Sequence, residues 1–208
     1  MTWPTKLPLI AILRGIQPQE VLAHVAELQA CGFDAIEIPL NSPNWQISLP
    51  LCLERWGGQI LFGGGTVLHA REVDALAHLG GRLLVTPNTS ASVIARAAHH
   101  RMISCIGCMT PTEALAAVAA GARCLKLFPA AHMGAGYIRS MLAVLPRSVP
   151  VFAVGGVTPE NLPQLLQAGC RGAGLGSELY RAGQSPRQTR ENAEAYVEAY
   201  HCCQGVAG

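Results

Sequence analysis

Charged residues are scarce in this sequence. Only 13% of its 208 residues are Asp, Glu, Lys or Arg, and the formal net charge is +2. Proteins that bind nucleic acids usually carry a strongly basic surface, so this balance argues against that class. Half of the residues are hydrophobic, which excludes a disordered chain, because disordered chains have little apolar surface to bury. The length fits one domain with a large core, and we expect a single domain over residues 1–208.

Long apolar runs are also missing. No run approaches the roughly 20 residues that a helix needs to cross a bilayer. The first apolar stretch, residues 7–13, ends at Arg14 and is followed by no small-residue cleavage site, so no signal peptide is predicted. We therefore expect a cytoplasmic protein with no membrane partner.

The histidines and cysteines show no metal-binding pattern. None of the seven histidines forms an H-x-H or H-x-x-x-H pair, so no metal site is expected. Most of the eight cysteines lie in apolar runs and are interpreted as buried free thiols. Cys105 and Cys108 form a C-x-x-C motif in an apparent strand, where positions i and i+3 face opposite sides. We therefore expect no redox or zinc function for this motif.

Short apolar runs alternate with amphipathic segments along the whole chain. Eight runs indicate strands, at residues 9–13, 33–40, 60–62, 83–86, 102–106, 124–128, 151–154 and 172–175. Eight amphipathic segments indicate helices, at residues 18–30, 44–55, 70–79, 90–100, 112–120, 137–145, 159–168 and 186–200. Near-continuous apolar strands are typical of a parallel sheet covered on both faces. Eight β–α units favour an α/β fold of the (β/α)8 TIM-barrel type, with a doubly wound open sheet as the alternative.

Proline marks many of the predicted helix starts. Turn or cap residues precede it at Pro18, Pro43, Pro111, Pro159 and Pro186. Because proline is tolerated in the first turn of a helix, we expect these residues there. Thr110 and Glu113 also have the spacing of a capping box.

Lysine is rare among the cationic residues. Only two of the 15 are lysine, Lys6 and Lys126. Lys126 lies inside the apolar run 124–128, while arginine supplies the surface charge. Desolvation lowers the pKa of an amine and makes it a nucleophile at neutral pH. A reactive lysine is therefore predicted at position 126.

Two further charges lie at the ends of predicted strands. Arg14 follows the first strand, and Glu37 lies late in the second. In a barrel these ends meet at one mouth, so Arg14, Glu37 and Lys126 are expected to converge. A lysine beside a carboxylate suggests Schiff-base chemistry, in which the amine attacks a ketone and the carboxylate moves protons without metal. The alternative is a buried ion-pair network without chemistry, which rarely gains stability over apolar residues.

Glycine-rich turns follow the last two predicted strands. Gly155 and Gly156 follow the seventh strand, and Gly176 and Ser177 follow the eighth. Phosphate sites of barrels are commonly built at these positions from backbone N–H groups. They predict a small phosphorylated substrate, and tight barrel-closing turns are the alternative. Thr66, after a third glycine run, either offers a hydroxyl at the mouth or caps a helix.

Four motifs carry a resemblance to a known family. They are Glu37-Ile-Pro-Leu, Gly63-Gly-Gly-Thr-Val-Leu, Lys126-Leu-Phe-Pro-Ala and Gly155-Gly-Val-Thr-Pro-Glu-Asn. They resemble the class I 2-keto-3-deoxy-6-phosphosugar acid aldolases, and the resemblance runs from Leu7 to about residue 200. It implies a homotrimer without cofactor or metal, acting on a phosphorylated keto-sugar acid and releasing pyruvate and D-glyceraldehyde 3-phosphate.

The same resemblance implies a role for each site residue. Lys126 would form the Schiff base with the C2 ketone, and Glu37 would be the general acid/base. Arg14 and Thr66 would hold the carboxylate at the pyruvate end. The phosphate would be bound by residues of the two glycine turns, which are Gly155, Gly156, Gly176 and Ser177.

Two positions separate the branches of the family. By the same resemblance, the gluconate branch usually has threonine where this chain has Val154, and a pattern similar to Thr-Leu-Arg-Thr where this chain has Pro39-Leu-Asn41-Ser. These differences favour the galactonate-derived substrate over its gluconate-derived C4 epimer, which is the alternative. Gly64 and Ile106 depart from the family's usual alanine and proline. Another phosphosugar enzyme, such as an isomerase or decarboxylase, and a non-catalytic sugar-phosphate-binding barrel stay open as further alternatives.

Overall fold

Strands and helices alternate along the chain, as the sequence pattern predicts. In the computed structural model, which describes residues 3–205, the strands are β1 Leu9–Ile12, β2 Ala35–Pro39, β3 Leu61–Gly65, β4 Leu83–Val85, β5 Ile103–Cys108, β6 Cys124–Leu127, β7 Val151–Val154 and β8 Gly172–Leu175. The helices are α1 Val21–Ala30, α2 Trp45–Trp56, α3 Ala70–His78, α4 Ala91–His99, α5 Pro111–Ala119, α6 Ala130–Val144, α7 Leu162–Gln167 and α8 Pro186–Gly205.

The strands close into a parallel barrel. Each pairs with the next in sequence, and β8 pairs with β1, so the sheet has no free edge. The register places Ile12 opposite Glu37 and Gly107 opposite Lys126. The predicted (β/α)8 barrel is confirmed, and the open-sheet alternative is wrong. The domain prediction for residues 1–208 extends beyond the described residues and stays a prediction.

Two apolar clusters fill the molecule. The larger lies between strands and helices, and the smaller fills the barrel interior. Within the smaller cluster, Trp3 packs on Phe152 with ring centroids 4.5 Å apart. Ala35 and Cys124 also belong to this interior cluster. Because side chains alternate along a strand, Glu37 and Lys126 are the next inward positions above them.

Helix starts agree with the sequence only in part. Thr110 and Glu113 form the predicted capping box, and Pro111 and Pro186 are the first residues of their helices. The prediction was wrong for Pro18, Pro43 and Pro159, which precede their helices because a turn comes first. Ahead of α1, for example, the Glu20 N–H donates to the Gln17 carbonyl at 3.2 Å. A cap-and-proline pattern marks the approach to a helix as well as its first turn.

The C-x-x-C residues face opposite sides of β5, as predicted. Cys105 lies in the barrel interior with its Sγ 3.3 Å from that of Cys124, and Cys108 belongs to the outer cluster. Among residues 3–205, no group of three His, Cys, Asp or Glu side chains could hold a metal ion. No helix in the same range is long and apolar enough to cross a membrane.

Candidate active site

Lys126 projects from β6 into the mouth of the barrel. It is only 6% exposed, and its Nζ lies 4.8 Å from the centroid of the Phe128 ring. Burial lowers the pKa of its ammonium group, and the nearby Arg14 lowers it further, while Glu37 raises it. Desolvation dominates, so the free-amine form needed for nucleophilic attack is favoured more than in an exposed lysine.

Glu37, on β2, is the buried carboxylate of the site. It is 1% exposed, and its Oε2 has no hydrogen-bond partner in the described part of the chain. Burial raises its pKa to about 7, although Lys126 and Arg14 act in the opposite direction. A network of purely structural ion pairs would pair this oxygen, because an unpaired buried charge is costly. The arrangement instead suits a group that binds and releases a proton near neutral pH.

Glycines on β3 make room for that carboxylate. A Cβ atom on Gly65 would overlap the carboxylate of Glu37, and one on Gly63 would overlap the backbone carbonyl of Leu83 on β4. Glycine is therefore required by close approach at positions 63 and 65 of this run.

Arg14 is oriented by its neighbours just after β1. Its Nη1 donates to Oδ1 of Asn41 at 2.8 Å, and its Nη2 donates to Oγ1 of Thr66 at 3.3 Å. Thr66 has a φ of 56°, a conformation that is uncommon for a non-glycine residue. The helix-cap alternative for Thr66 is wrong, since the N-cap residue of α3 is His69. The three side chains thus form a polar cluster at one side of the mouth.

A cavity of about 550 Å³ opens at the carboxyl ends of the strands. It brings together most of the predicted site residues, which are Arg14, Thr66, Lys126, Val154, Gly155, Gly156, Gly176 and Ser177. Two predicted residues do not line it. Glu37 lies at 1% exposure within the barrel, and Asn41 reaches the site through its hydrogen bond to Arg14.

The two glycine turns shape one end of this cavity. Gly155 and Gly156 have φ values of 90° and 70°, which glycine adopts without strain. A Cβ atom would crowd Phe128 from Gly155 and Ala131 from Gly156. Both positions therefore require glycine, and the absence of side chains lets a ligand approach the backbone of this turn closely.

Sequence reasoning missed several cavity residues. Phe128, Glu178, Tyr180 and Arg181 also line the cavity. The last three lie in the loop that follows Gly176. A stretch of charged and aromatic residues directly after a glycine turn could therefore have indicated that this loop lines the cavity. Whether they contact the cavity depends on the path of that loop, and hydrophobic periodicity does not predict the path of a loop.

A larger hollow, about 710 Å³, lies at the opposite end of the barrel. Its lining includes Trp3, Leu145, Arg147 and Arg171, without a lysine or a carboxylate. The smaller cavity, which contains Lys126, is therefore the candidate site for the predicted chemistry.

Comparison with known proteins shows the family of this chain. A model of the KDPG and KHG aldolase family matches residues 3–192. The chain is 57% identical over 200 residues to 2-dehydro-3-deoxy-6-phosphogalactonate aldolase of Escherichia coli K12, covering 96% of this chain and 98% of that protein.

Two solved structures share the fold closely. One, described as native KDPGal, has a TM-score of 0.97 and 56% identity, covering 99% of this chain and 100% of the other. A chain of a cube-shaped cage designed by fusing symmetric oligomeric domains has a TM-score of 0.96 and 56% identity, covering 98% of this chain and 75% of that one. The chain therefore belongs to the KDPG and KHG aldolase family.

Proposed function

We propose that this protein is a class I aldolase that cleaves 2-dehydro-3-deoxy-6-phospho-D-galactonate into pyruvate and D-glyceraldehyde 3-phosphate. The observation that carries the chemistry is the pairing of Lys126 and Glu37, each buried and each shifting the pKa of the other. The substrate is supported by the 57% identity to an enzyme of that name.

Imine formation begins the proposed reaction. The Lys126 amine attacks the C2 ketone of the substrate, and the carbinolamine loses water to give a protonated imine. The guanidinium of Arg14, held by Asn41 and Thr66, binds the adjacent carboxylate and fixes the ketone beside the amine. The protonated imine on Lys126 then accepts the electron pair of the bond that breaks, so the electrophile of the reaction is formed on a residue of the chain itself.

Proton transfer by Glu37 accompanies cleavage. The carboxylate accepts the proton of the C4 hydroxyl, the C3–C4 bond breaks, and its electron pair forms the enamine with the imine nitrogen as acceptor. D-Glyceraldehyde 3-phosphate leaves with the new aldehyde at the former C4. Glu37 then returns a proton to C3 of the enamine, and one water molecule hydrolyses the imine to pyruvate and free Lys126.

The glycine turns supply the phosphate site of this proposal. Backbone N–H groups near Gly155, Gly156, Gly176 and Ser177 are available to the phosphate at the end of the cavity formed by β7 and β8. The gluconate-derived substrate differs only at C4, so it would place the same carboxylate and the same phosphate at the two ends of the cavity. These two ends therefore do not distinguish the epimers. The galactonate-derived epimer is favoured because the chain carries Val154 at the cavity wall and is similar to the E. coli enzyme.

A homotrimer is the proposed assembly. Met109, Phe128 and Tyr137 are large apolar side chains exposed near the mouth, and the Tyr137 hydroxyl donates to the Met109 carbonyl at 2.6 Å. An apolar patch of this kind fits a contact between protein chains. The oligomeric domains of the related cage also support it. Sedimentation should give three times the chain mass of 22.0 kDa, and the monomer mass would contradict the proposal. The cytoplasmic location stays a prediction.

Borohydride trapping with pyruvate is the decisive experiment for the chemistry. The chain has two lysines, so the adduct can form on few amines and peptide mass mapping identifies which one. We expect a reduced pyruvate adduct on the Lys126 peptide and none in Lys126→Ala. Lys6→Ala is the matched control, because Lys6 is exposed and outside the cavity, and it should be labelled like the wild type. A folded wild type without adduct at Lys126 would remove the Schiff-base proposal.

A further inference from the structure

Arg181 adds a cation to the cavity that neither the motifs nor the glycine turns account for. We propose that Arg181 selects for the phosphate of the substrate, and that Glu178 holds its guanidinium in place until the phosphate arrives. This inference rests on the proposed function, since it names a further residue that recognises the same substrate.

The distribution of charge in the cavity calls for such a residue. A phosphate monoester carries a charge of about −1.5 to −2 at pH 7. Among the described residues that line the cavity, the cations are Arg14, Lys126 and Arg181. Arg14 and Lys126 lie at the pyruvate end, where one binds the carboxylate and the other forms the imine. Arg181 is therefore the cation of the phosphate end.

Hydrogen bonds place the Arg181 guanidinium beside the phosphate turn. Its Nε donates to the carbonyl oxygen of Ser177 at 2.8 Å, and its Nη2 donates to Oε1 of Glu178 at 2.8 Å. Its backbone N–H donates to Oε1 of Gln184 at 2.9 Å, which braces the loop. Within residues 3–205, Nη1 has no protein acceptor, so part of the planar guanidinium fork stays available to an oxyanion.

Glu178 is well placed to be displaced by a phosphate. Its side chain is 45% exposed and that of Arg181 is 65% exposed, so their ion pair is largely solvated and stabilises the loop only slightly. Glu178 itself lines the cavity and would repel a phosphate. Phosphate offers Arg181 more charge and a bidentate geometry, so it exchanges for the carboxylate.

Two aldehydes separate phosphate recognition from a structural role. The aldol direction is assayed with pyruvate and either D-glyceraldehyde 3-phosphate or unphosphorylated D-glyceraldehyde. We expect Arg181→Gln to lower kcat/KM for the phosphorylated aldehyde by roughly 10-fold to 100-fold, the usual effect of losing a charged hydrogen bond, chiefly through KM. The loss with D-glyceraldehyde should be much smaller, so the ratio between the two aldehydes falls.

Two further variants sharpen the test. Glu178→Gln keeps a hydrogen-bond acceptor for the Arg181 guanidinium but removes the competing negative charge, so it should lower KM for the phosphorylated aldehyde. Arg187→Gln is the matched control, since Arg187 is an exposed arginine that pairs with Glu191 on α8 and does not line the cavity. It should keep the wild-type ratio.

The outcomes distinguish this inference from the function on which it rests. An equal loss with both aldehydes in Arg181→Gln would overturn phosphate selection and leave Arg181 a structural residue. If the wild type neither makes aldol product nor traps pyruvate, the proposed aldolase function fails. Calorimetry with inorganic phosphate then still tests Arg181: binding that weakens in Arg181→Gln but not in Arg187→Gln supports it, and equal binding by all three proteins overturns it.

Discussion

At the scale of the residue, the burial of Glu37 lowers the stability of the fold in return for the proton-transfer role that we propose for it. The Glu37 carboxylate is only 1% exposed, and its Oε2 has no hydrogen-bond partner among the described residues. Both conditions disfavour the charged form of the group. Burial raises its pKa to about 7, which brings the titration of this carboxyl group close to neutral pH. The same environment that suits proton transfer should therefore weaken the fold at alkaline pH.

The Glu37→Gln variant should expose that cost. A pKa of about 7 in the folded chain, against 4.5 without burial, means that the folded state binds more protons than the unfolded state between these values. The penalty is absent below pH 4.5, grows as the pH rises, and is complete above pH 7, where it reaches about 3 kcal/mol. We expect Glu37→Gln to unfold at a higher temperature than the wild type at pH 8, with a smaller difference at pH 5.

Activity gives the second readout for Glu37. In the proposed mechanism the carboxylate form of Glu37 accepts the C4 proton, so the wild-type kcat/KM should fall as the pH drops below about 7. Glu37→Gln should be slower by orders of magnitude and lose this limb of the profile, yet still trap pyruvate on Lys126. A wild-type rate in this variant, or a melting temperature that differs equally from the wild type at pH 5 and 8, would contradict the assigned role.

Val154 is the other residue whose effect we can state in advance. It is the last residue of β7, is 5% exposed and lines the cavity directly before Gly155. Val154→Thr keeps the size of the side chain and adds a hydroxyl that can contact one C4 epimer. We expect the ratio of kcat/KM for the gluconate-derived substrate to that for the galactonate-derived substrate to rise. The ratio is measured with both epimers at a temperature where the variant stays folded. An unchanged ratio would show that Val154 does not determine specificity.

At the scale of the element, the glycine run of β3 links sheet geometry to catalysis. Gly65 faces the Glu37 carboxylate, while Gly64 faces outward to Leu40 and Leu76. Successive residues of a strand point to opposite sides, so two neighbouring glycines meet different neighbours. Of these two glycines, Gly65 is therefore the one that affects the position of the Glu37 carboxylate.

Alanine substitutions at these positions form a matched pair. Gly65→Ala should displace the Glu37 carboxylate and lower kcat by at least tenfold, because a Cβ there overlaps it. Gly64→Ala should keep kcat, since its Cβ meets only flexible leucine side chains that can turn away. Both variants are assayed for cleavage and for thermal unfolding. Equal kcat in the two would show that Glu37 is not positioned by the space that Gly65 leaves.

The strands and the residues on them could be predicted from the sequence, while most loop contacts could not. The apolar runs placed β7 and β8 at their observed residues, and the barrel topology brought Lys126 and Arg14 to one cavity. The start of α6 was missed, because helical turns also precede Gly134, whose φ of 72° interrupts the pattern. Arg181 was missed because its loop has no hydrophobic periodicity from which the direction of the side chain could be predicted.

At the scale of the whole molecule, the Trp3 packing that stabilises the barrel interior and the proposed active site lie at opposite ends of the barrel. Trp3 packs on Phe152 in the barrel interior, below the level of Lys126. The segment that carries Trp3 is fixed by Asp34, whose Oδ2 accepts the Lys6 backbone N–H at 2.7 Å. The Trp3 side chain, which comes from outside the strands, thus contributes to the interior core, while Glu37 and Lys126 place charged groups at two inward positions of the strands.

Trp3→Ala should therefore weaken the fold without changing the reaction. Truncating a buried tryptophan typically costs about 3–5 kcal/mol, and in a chain of this length that should lower the melting temperature by about 10 °C. KM for pyruvate and the Lys126 adduct should stay at wild-type levels at 25 °C, because Arg14, Thr66 and Lys126 lie at the other end. Trp3→Phe is the control and should recover much of the loss by keeping a ring against Phe152. A wild-type melting temperature in Trp3→Ala would mean that the strands alone support the interior, and a raised KM would mean that the two ends are coupled.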